Sequence, residues 1–278
     1  MNGKFFSKKE ARISVFDRGF LFSDSVYEVS AVIGGSLVDW QEHFARLIRS
    51  LDHLNIVNNF QEEDFYQIQK KLIKENELEE GLCYIQVTRG IAERDFNFAK
   101  NSLLPTVVIF TQEKLILSNP ASKVGIKIIT VPDDRWRRRD IKTTQLLAQS
   151  LAKTHAVKKG LDDSLLVQDD YINEGSSSNA FIIKDEHIIT PRLSNDILGG
   201  ITRSSVIKFC KINNIEIKEQ KININDLMDA QEVFLTSATG FVLPVIEIDG
   251  KQVGNGLVGD MVKEIQRIYL EQIKAKLS

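Results

Sequence analysis

The chain carries no excess of charge of either sign, since 36 Lys and Arg residues face 38 Asp and Glu residues and the formal net charge is -2. Without a bulk positive field, we expect binding neither to nucleic acid nor to an anionic membrane surface. No apolar stretch is long enough to span a bilayer, and residues 1–10 are polar rather than typical of a signal peptide. These absences predict a soluble, cytoplasmic protein.

Cysteine and histidine are also scarce. Cys83 and Cys210 lie far apart, lack metal-ligand spacing and stand among apolar residues, which is typical of buried thiols in a reducing compartment. The four histidines do not have the spacing of metal ligands: His43, His53, His155 and His187. The sequence therefore predicts no metal site.

The chain does contain enough apolar material for a substantial core, with 42% hydrophobic residues among 278. A β-rich run over Val26–Ile33 predicts a strand in the first half. In the second half, the pattern predicts a helix from about Thr144 to Lys159 that ends at Gly160. Asp169-Asp170 is predicted to be the turn between two short antiparallel strands.

Polar residues around Pro120 separate the two halves and are typical of a linker. We therefore predict two domains in an α+β fold. A small N-terminal α/β domain would span residues 1–117, and a larger, mixed and β-rich domain would span residues 124–278. The linker would cover residues 118–123.

Lys142 follows an arginine-rich stretch and precedes the predicted helix. A lysine that performs Schiff-base chemistry must spend time as the neutral amine, so its pKa must fall below the usual ~10.4 through partial burial and nearby positive charge. Four arginines in the preceding segment are near enough in sequence to supply that charge: Arg135, Arg137, Arg138 and Arg139. The alternative interpretation is a solvated lysine after a charged turn, and Lys142 alone does not decide between them.

Glu174 opens the run Glu174-Gly175-Ser176-Ser177-Ser178-Asn179, which lies between two apolar strands. Small residues permit close approach of the backbone and supply many hydrogen-bond donors. A carboxylate at a strand end, directed at a ring nitrogen, would keep that nitrogen protonated and make the ring an electron sink. An ordinary polar loop is the alternative.

Two further segments are candidates for anion binding. Gly199-Gly200 precedes a predicted helix, where the free N–H groups of Ile201 and Thr202 would suit a phosphate. It is not a nucleotide P-loop, because the Gly-Lys-Ser/Thr pattern is missing. Ser237–Gly240 ends a strand and would supply more donors, although either segment alone is also typical of a plain turn.

Arg46 lies at the edge of the apolar face of a predicted helix that includes Phe44 and Leu47. A guanidinium there would suit a bidentate contact with a phosphate. The alternative is an exposed arginine paired with Glu42.

The conjunction of these elements resembles the fold-type IV pyridoxal-phosphate enzymes, and within them the bacterial D-amino-acid aminotransferases. The resemblance covers nearly the whole chain. Its carriers are Asp17-Arg18-Gly19, Val26-Tyr27-Glu28-Val29, Glu42-His43-Phe44-Ala45-Arg46-Leu47, Gln86-Val87-Thr88-Arg89-Gly90, Asp140-Ile141-Lys142, Glu174-Gly175-Ser176-Ser177-Ser178-Asn179, Gly200-Ile201-Thr202-Arg203 and Pro244-Val245-Ile246-Glu247-Ile248-Asp249-Gly250.

This resemblance implies pyridoxal 5′-phosphate as the cofactor, carried by Lys142, which would also move a proton during catalysis. It implies that Glu174 holds the pyridine nitrogen. The other cofactor contacts would lie around the phosphate and the ring: Arg46, Ser177, Leu198, Ile201, Thr202, Ser237 and Ala238. Tyr27 of the same subunit would hold the substrate carboxylate together with Arg94 of the partner subunit.

The resemblance also implies the architecture and the reaction. The cofactor would lie in the cleft between the two domains, and the protein would be at least a homodimer because both chains complete each site. The substrates would be D-amino acids (D-alanine, D-glutamate or D-aspartate) and 2-oxo acids, which react by a ping-pong mechanism.

Two positions depart from the family pattern. The family usually has Arg-x-His in the carboxylate-binding loop, whereas this chain has Arg94-Asp95-Phe96. One hydrogen-bond donor to the substrate carboxylate is thereby lost. Arg137, in the arginine-rich segment, is the candidate to replace it for acidic substrates. Ala238 stands where the family often has a threonine, so only its backbone N–H would serve the phosphate.

Two alternatives share this fold and cofactor. A branched-chain L-amino-acid aminotransferase usually has a glycine-rich version of the Glu174 turn, in place of the three serines found here. An aminodeoxychorismate lyase would be similar in length, but the serine run and Tyr27 favour the D-amino-acid group. A non-enzymatic binding protein would be expected to lack Lys142 or Glu174.

Overall fold

A computed structural model of the chain describes residues 1–98 and 103–277. It divides into two compact units: unit 1 comprises Met1–Leu115 and Ile141–Gln145, and unit 2 comprises Ile116–Asp140 and the chain from Leu146 onward. No helix of the described residues is both long and apolar enough to cross a membrane. The domain bounds inferred from the sequence stay a prediction.

Unit 1 is built on an antiparallel sheet. Its described strands pair in the order β2-β1-β3-β4 and are β1 (Ser25–Ile33), β2 (Ser36–Leu37), β3 (Glu80–Thr88) and β4 (Thr106–Glu113). The helices of its described part are α1 (Arg18–Phe22), α2 (Trp40–His53) and α3 (Glu62–Glu75). Leu47 and Leu51 on α2 are fully buried, and their spacing of one turn forms the apolar face that covers the sheet.

The short segment 141–145 belongs to unit 1 because it pairs with the start of β1. Thr143 forms an antiparallel bridge with Val26, and the Tyr27 N–H donates to the Lys142 carbonyl at 3.0 Å. These contacts keep the backbone extended beyond Lys142. The helix that the sequence pattern places from Thr144 therefore begins only at Leu147.

Unit 2 contains a mixed sheet flanked by helices. In the described chain its main path runs β10-β9-β8-β12-β13-β5-β6-β7-β11, with β14 paired to β13. The strands are β5 (Ile126–Pro132), β6 (Asp163–Gln168), β7 (Tyr171–Gly175), β8 (Asn179–Lys184), β9 (His187–Thr190), β10 (Ile217–Glu219), β11 (Ile222–Asn223), β12 (Glu232–Ser237), β13 (Phe241–Ile248) and β14 (Lys251–Gln252). The described helices are α4 (Ala121–Val124), α5 (Leu147–Lys158), α6 (Ile201–Ile212), α7 (Ile224–Met228) and α8 (Asp260–Leu277).

The hairpin of β6 and β7 turns at Asp169-Asp170, as the sequence predicts, with positive φ angles of 50° and 63° at these two residues. Its register shifts further along, because Leu166 pairs with Glu174 whereas Val167 pairs with Ile172. Asn173 is thus an extra residue on β7. A bulge of this kind redirects the side chains beside it.

β12, an inner strand of the unit 2 sheet, is buried on both faces. Val233 and Leu235 on β12 belong to one core cluster, and Phe234 between them points to the other face because side chains alternate along a strand. There Phe234 stacks on Phe181 of β8, with ring centroids 4.6 Å apart and ring planes at 8°. Neither phenylalanine is exposed.

This stack should contribute strongly to stability. We expect Phe234→Ala to lower the free energy of unfolding by about 3–5 kcal/mol, because the substitution leaves a cavity beside Phe181. Leu257, which is 70% exposed, is the control, and Leu257→Ala should change the value by less than ~0.5 kcal/mol. Urea unfolding of both variants measures the difference. Equal midpoints would show that the stack is not part of the core.

Candidate active site

Lys142 and Tyr27, two residues singled out from the sequence, lie together in unit 1. The Lys142 ammonium is 4.2 Å from the centroid of the Tyr27 ring, and both residues are half-buried. Tyr27 in turn stacks on Tyr84 of β3, with centroids 5.5 Å apart. After Lys142 the chain is tied to β1 by hydrogen bonds between Thr144 and Ser25. The backbone from the Lys142 carbonyl to Thr144 is thereby held against β1.

Arg46 is buried and bound to a carboxylate inside unit 1. Its Nε donates to Glu28 Oε1 at 2.7 Å and its Nη2 donates to Glu28 Oε2 at 2.9 Å. His43, one turn earlier on α2, places Nδ1 2.8 Å from Glu28 Oε2. The alternative of an exposed arginine paired with Glu42 is therefore wrong. The role of Arg46 toward a phosphate stays a prediction.

The carboxyl of Glu28 is strongly perturbed by these neighbours. Burial alone would raise its pKa, but the charge of Arg46 and the hydrogen bonds from Arg46 and His43 hold the pKa well below the usual range. Glu28 thus stays ionised and fixes the orientation of the Arg46 guanidinium.

Arg94 is exposed on unit 1 and lies against aromatic rings. Its guanidinium carbon is 5.4 Å from the centroid of Phe22 and 5.6 Å from that of Phe96. The carboxylate of Asp95 accepts a hydrogen bond from the Asn97 N–H at 3.0 Å. Among the described residues, Arg94 forms no ion pair, so Asp95 does not neutralise it.

Glu174 lies at the end of β7 in unit 2 and is 4% exposed. Arg135 donates to Oε1, the Asn179 side-chain amide donates to Oε2 at 2.9 Å, and the Leu198 N–H donates to Oε2 at 3.1 Å. Burial raises the pKa of this carboxyl, and the charge of Arg135 with the Leu198 N–H opposes that rise. The sequence-predicted residues Glu174 and Leu198 are thus in direct contact.

A second carboxylate supports Arg135. Asp133 Oδ2 accepts from Arg135 Nη2 at 2.8 Å and from the side-chain amide of Asn173, the bulged residue, at 2.9 Å. Burial would raise the pKa of Asp133, but the hydrogen bonds and charge of Arg135 lower it. Arg135 is therefore held between two carboxylates, Asp133 and Glu174.

The arginine-rich segment differs from its sequence interpretation, which treated all four arginines as available charges. Three of them pair with carboxylates of unit 2. Arg135 pairs with Asp133 and Glu174, and Arg138 pairs with Asp140. Arg139 pairs with Asp133 and Asp196. Arg137 is exposed, and no ion pair with it is present among the described residues. Its substrate role stays a prediction.

Helix α6 begins at a glycine that no side chain caps. Gly200 occupies the N-cap position, so the first N–H groups of the helix, at Ile201 and Thr202, have no partner within the helix. A Cβ at Gly200 would lie 2.0 Å from Asn179 Oδ1. Because Asn179 also donates to Glu174 and to the Leu198 carbonyl at 2.8 Å, it ties the Glu174 turn to the start of α6.

The serines around the site have different surroundings. Ser177 is exposed, whereas Ser176 is buried and donates to Asp163. Ser237 accepts from the Gly240 N–H at 3.0 Å, and Ala238 is half-buried in the same turn. This turn joins β12 to β13 in unit 2, which also carries Glu174 and α6.

Sequence reasoning missed the residues that orient the predicted ones: Glu28, His43, Asp133, Arg135 and Asn179. A signal for Glu28 is present in the sequence, because it is the one charged residue of the strand and a buried charge must find a partner. His43 and Arg46 on one face of α2 are suitable partners. The sequence presents Arg135 only as a positive charge near Lys142, and it gives no indication that Arg135 pairs with Asp133.

The sequence and the site identify a family. The family described as amino-transferase class IV matches residues 25–248, and the chain belongs to it. A D-alanine aminotransferase of Staphylococcus aureus (strain MSSA476) is 37% identical over 277 residues, which cover 99% of this chain and 97% of the relative. The chain is therefore an aminotransferase.

Solved structures agree in fold. A branched-chain amino acid aminotransferase from Escherichia coli has a TM-score of 0.90 at 22% identity, with 98% of this chain and 93% of that chain covered. A second branched-chain amino acid aminotransferase, from T.th. and with pyridoxamine 5′-phosphate, has a TM-score of 0.88 at 26% identity, with 97% and 91% covered. The predicted α+β, fold-type IV architecture is thus confirmed.

The Glu28 network predicts a pH-dependent stability. Since its pKa is lower in the folded chain than the ~4.3 of an unfolded glutamate, its contribution is complete above that value and is lost as the pH falls toward the folded pKa. Glu28→Gln should therefore destabilise the protein at pH 7 by about 3–5 kcal/mol, because Arg46 loses its buried partner.

The difference in free energy of unfolding between wild type and Glu28→Gln should become smaller below about pH 4, since wild-type Glu28 then becomes protonated in the unfolded chain. Urea unfolding at several pH values measures it. Exposed Glu42, on α2 with Arg46, is the control, and Glu42→Gln should have little effect on the free energy of unfolding. A difference that stays constant from pH 7 to pH 3 would contradict the ion-pair account.

Proposed function

We propose that this aminotransferase uses pyridoxal 5′-phosphate to transfer the amino group of D-amino acids to 2-oxo acids by a ping-pong mechanism. The observation that carries the proposal is the buried Glu174 carboxylate, which Arg135, Asn179 and the Leu198 N–H hold beside the uncapped start of α6. Support for D-amino acids comes from the relatives named D-alanine aminotransferase, which match over nearly the whole chain.

The donor set of unit 2 fits this cofactor. A fixed carboxylate suits a protonated pyridine nitrogen, and free N–H groups at a helix N-terminus suit a phosphate. The proposed phosphate donors in unit 2 are Ile201, Thr202, Ser237 and the Ala238 backbone, and Ser177 and Leu198 are proposed as further contacts. In unit 1 the Arg46 guanidinium, fixed by Glu28, would add a cation. When bound, pyridoxal phosphate withdraws electrons from the bonds of the substrate Cα.

Lys142 is the proposed attachment point and proton carrier. Its Nζ would hold the cofactor covalently at rest, and would take the proton from the substrate Cα once freed. The Tyr27 ring beside Nζ and the paired backbone that follows Lys142 limit the positions that the amine can reach. That restriction suits a base that must deliver its proton to one face only.

The substrate carboxylate would be held by Tyr27 and Arg94, with Arg137 as a further candidate for acidic side chains. Arg94 is suited to this task because none of the described carboxylates pairs with it, so its charge is available. We propose D-alanine, D-glutamate and D-aspartate as donors. We further propose at least a homodimer, in which Arg94 completes the site of the neighbouring subunit.

A branched-chain L-amino-acid aminotransferase is the second candidate. It is favoured by the solved structure of a branched-chain amino acid aminotransferase at 26% identity. The D-alanine relatives are more similar, at 35–37% identity over 93–98% of their own length. Turnover of L-leucine or L-valine in preference to every D-amino acid would favour this second candidate and leave the cofactor assignment intact.

The cofactor assignment predicts one labelled lysine. Borohydride reduction of the enzyme saturated with pyridoxal phosphate, followed by peptide mapping, should place the phosphopyridoxyl group on Lys142. Lys153, which pairs with Asp163 in unit 2, is the matched control, and Lys153→Ala should leave labelling unchanged. A label on another lysine, or none, would contradict the proposal.

The role of Glu174 predicts a rate effect without loss of the cofactor. Glu174→Gln should still bind pyridoxal phosphate but should lower the rate of pyruvate formation from D-alanine and 2-oxoglutarate by ~10²–10³, because a neutral amide cannot stabilise a protonated ring nitrogen. Glu247→Gln, at a partly exposed ion pair with Lys127, should stay close to wild type. Equal rates for the two variants would show that Glu174 has no part in catalysis.

A further inference from the structure

The segment that carries Arg94 is surrounded by an alternating set of arginines and phenylalanines in unit 1. At its outer end, the Arg94 guanidinium contacts Phe22 and Phe96, and these two rings meet edge to face with centroids 5.7 Å apart. Arginine over an aromatic face is an attractive arrangement, because the guanidinium stacks on the ring and meets its negative face. Arg94 is thus flanked by two rings that also contact each other.

The same aromatic contacts continue inward to buried cations. Phe22 also lies 4.6 Å from the guanidinium carbon of Arg18, and Phe98 lies 5.4 Å from that of Arg18 and 3.8 Å from that of Arg89. Arg18 and Arg89 both donate to the carboxylate of Asp24, at 2.8 and 2.7 Å. The inner end is therefore held by a half-buried carboxylate shared between two arginines.

The inner end also holds the backbone of the loop. Arg18 Nη1 donates to the Asp95 carbonyl at 2.7 Å, directly between Arg94 and Phe96 in the chain. The Asp95 carboxylate accepts a hydrogen bond from the Asn97 N–H and so closes a local turn of the chain. The loop is thus fixed at Asp95, and the charge of Arg94 is left for an external anion.

Phe96 itself contributes little to the core of unit 1. It is 79% exposed, and its ring contacts Phe22 and Arg94. A long arginine side chain loses considerable rotamer freedom when it binds a ligand, and any prior restriction lowers that cost. A ring at this position restricts Arg94 without using its N–H groups, which remain available to a carboxylate.

We propose that Phe96 is a positioning residue: together with Phe22, it orients the Arg94 guanidinium for the substrate carboxylate, in place of the donor that the family pattern has at this position. The proposal rests on the proposed function, because it assumes that Arg94 binds that carboxylate. Phe96 would then act on substrate binding through Arg94 and not on the chemical step.

The test is a double-mutant cycle with D-alanine as the varied substrate. Phe96→Leu should raise KM about two- to fivefold, as expected for loss of a cation–π contact at an exposed site, with kcat changed less than twofold. Phe96→Tyr, which keeps the ring, should restore the wild-type KM. In an Arg94→Ala background, Phe96→Leu should have no further effect on KM.

Phe20, which is 67% exposed on the neighbouring helix α1, is the control for loss of exposed apolar surface, and Phe20→Leu should leave KM unchanged. Melting temperatures of all variants check that the fold is intact. A wild-type KM in Phe96→Leu, or the same rise in KM with and without Arg94, would overturn the proposal. Wild-type enzyme that transaminates no D-amino acid would instead refute the proposed function, and the two failures are thus distinct.

Discussion

The burial of the Glu174 carboxylate is the constraint that organises unit 2. An ionised carboxylate without water is costly, so every lone pair and the charge itself need partners. Arg135 supplies the charge, Asn179 an amide and Leu198 a backbone N–H. Each of these partners brings a different segment to the same point: the arginine-rich loop, the strand after the serine turn, and the loop before α6.

Asn179 extends this constraint to the start of α6. Its amide nitrogen bonds Glu174 and the Leu198 carbonyl, and its oxygen occupies the space where any side chain at Gly200 would stand. The glycine is therefore required by close packing rather than by an unusual backbone angle. Through this single amide, a carboxylate suited to a ring nitrogen and a helix N-terminus suited to a phosphate are fixed relative to each other within one unit.

Unit 1 uses the same physical arrangement with other residues. Glu28 is a buried carboxylate on a strand, and it binds Arg46 and His43 on α2. Asp24 does the same for Arg18 and Arg89. In both cases a carboxylate largely removed from solvent holds the guanidinium groups beside it in a defined position.

The sequence was sufficient for local features. A glycine pair before an apolar helix pattern predicted the uncapped start of α6, and Asp169-Asp170 predicted a hairpin turn. It was insufficient where strand register decides. The extra residue Asn173 shifts the pairing of β7 and brings an amide to Asp133, and no alternating pattern reveals such a bulge. The bridge between Val26 and Thr143 likewise joins residues far apart in the chain, so the sequence pattern does not show that α5 begins only at Leu147.

The central claim is that Lys142 and Glu174 serve one cofactor in the conversion of D-amino acids. The most direct test is the half-reaction, in which enzyme carrying pyridoxal phosphate is mixed with D- or L-alanine without any 2-oxo acid and the pyruvate released per subunit is measured. The account predicts about one equivalent from D-alanine, since the amino group stays on the enzyme in a ping-pong mechanism, and no pyruvate from L-alanine or from Lys142→Ala. Equal or faster release from L-alanine, or release by Lys142→Ala, would contradict it.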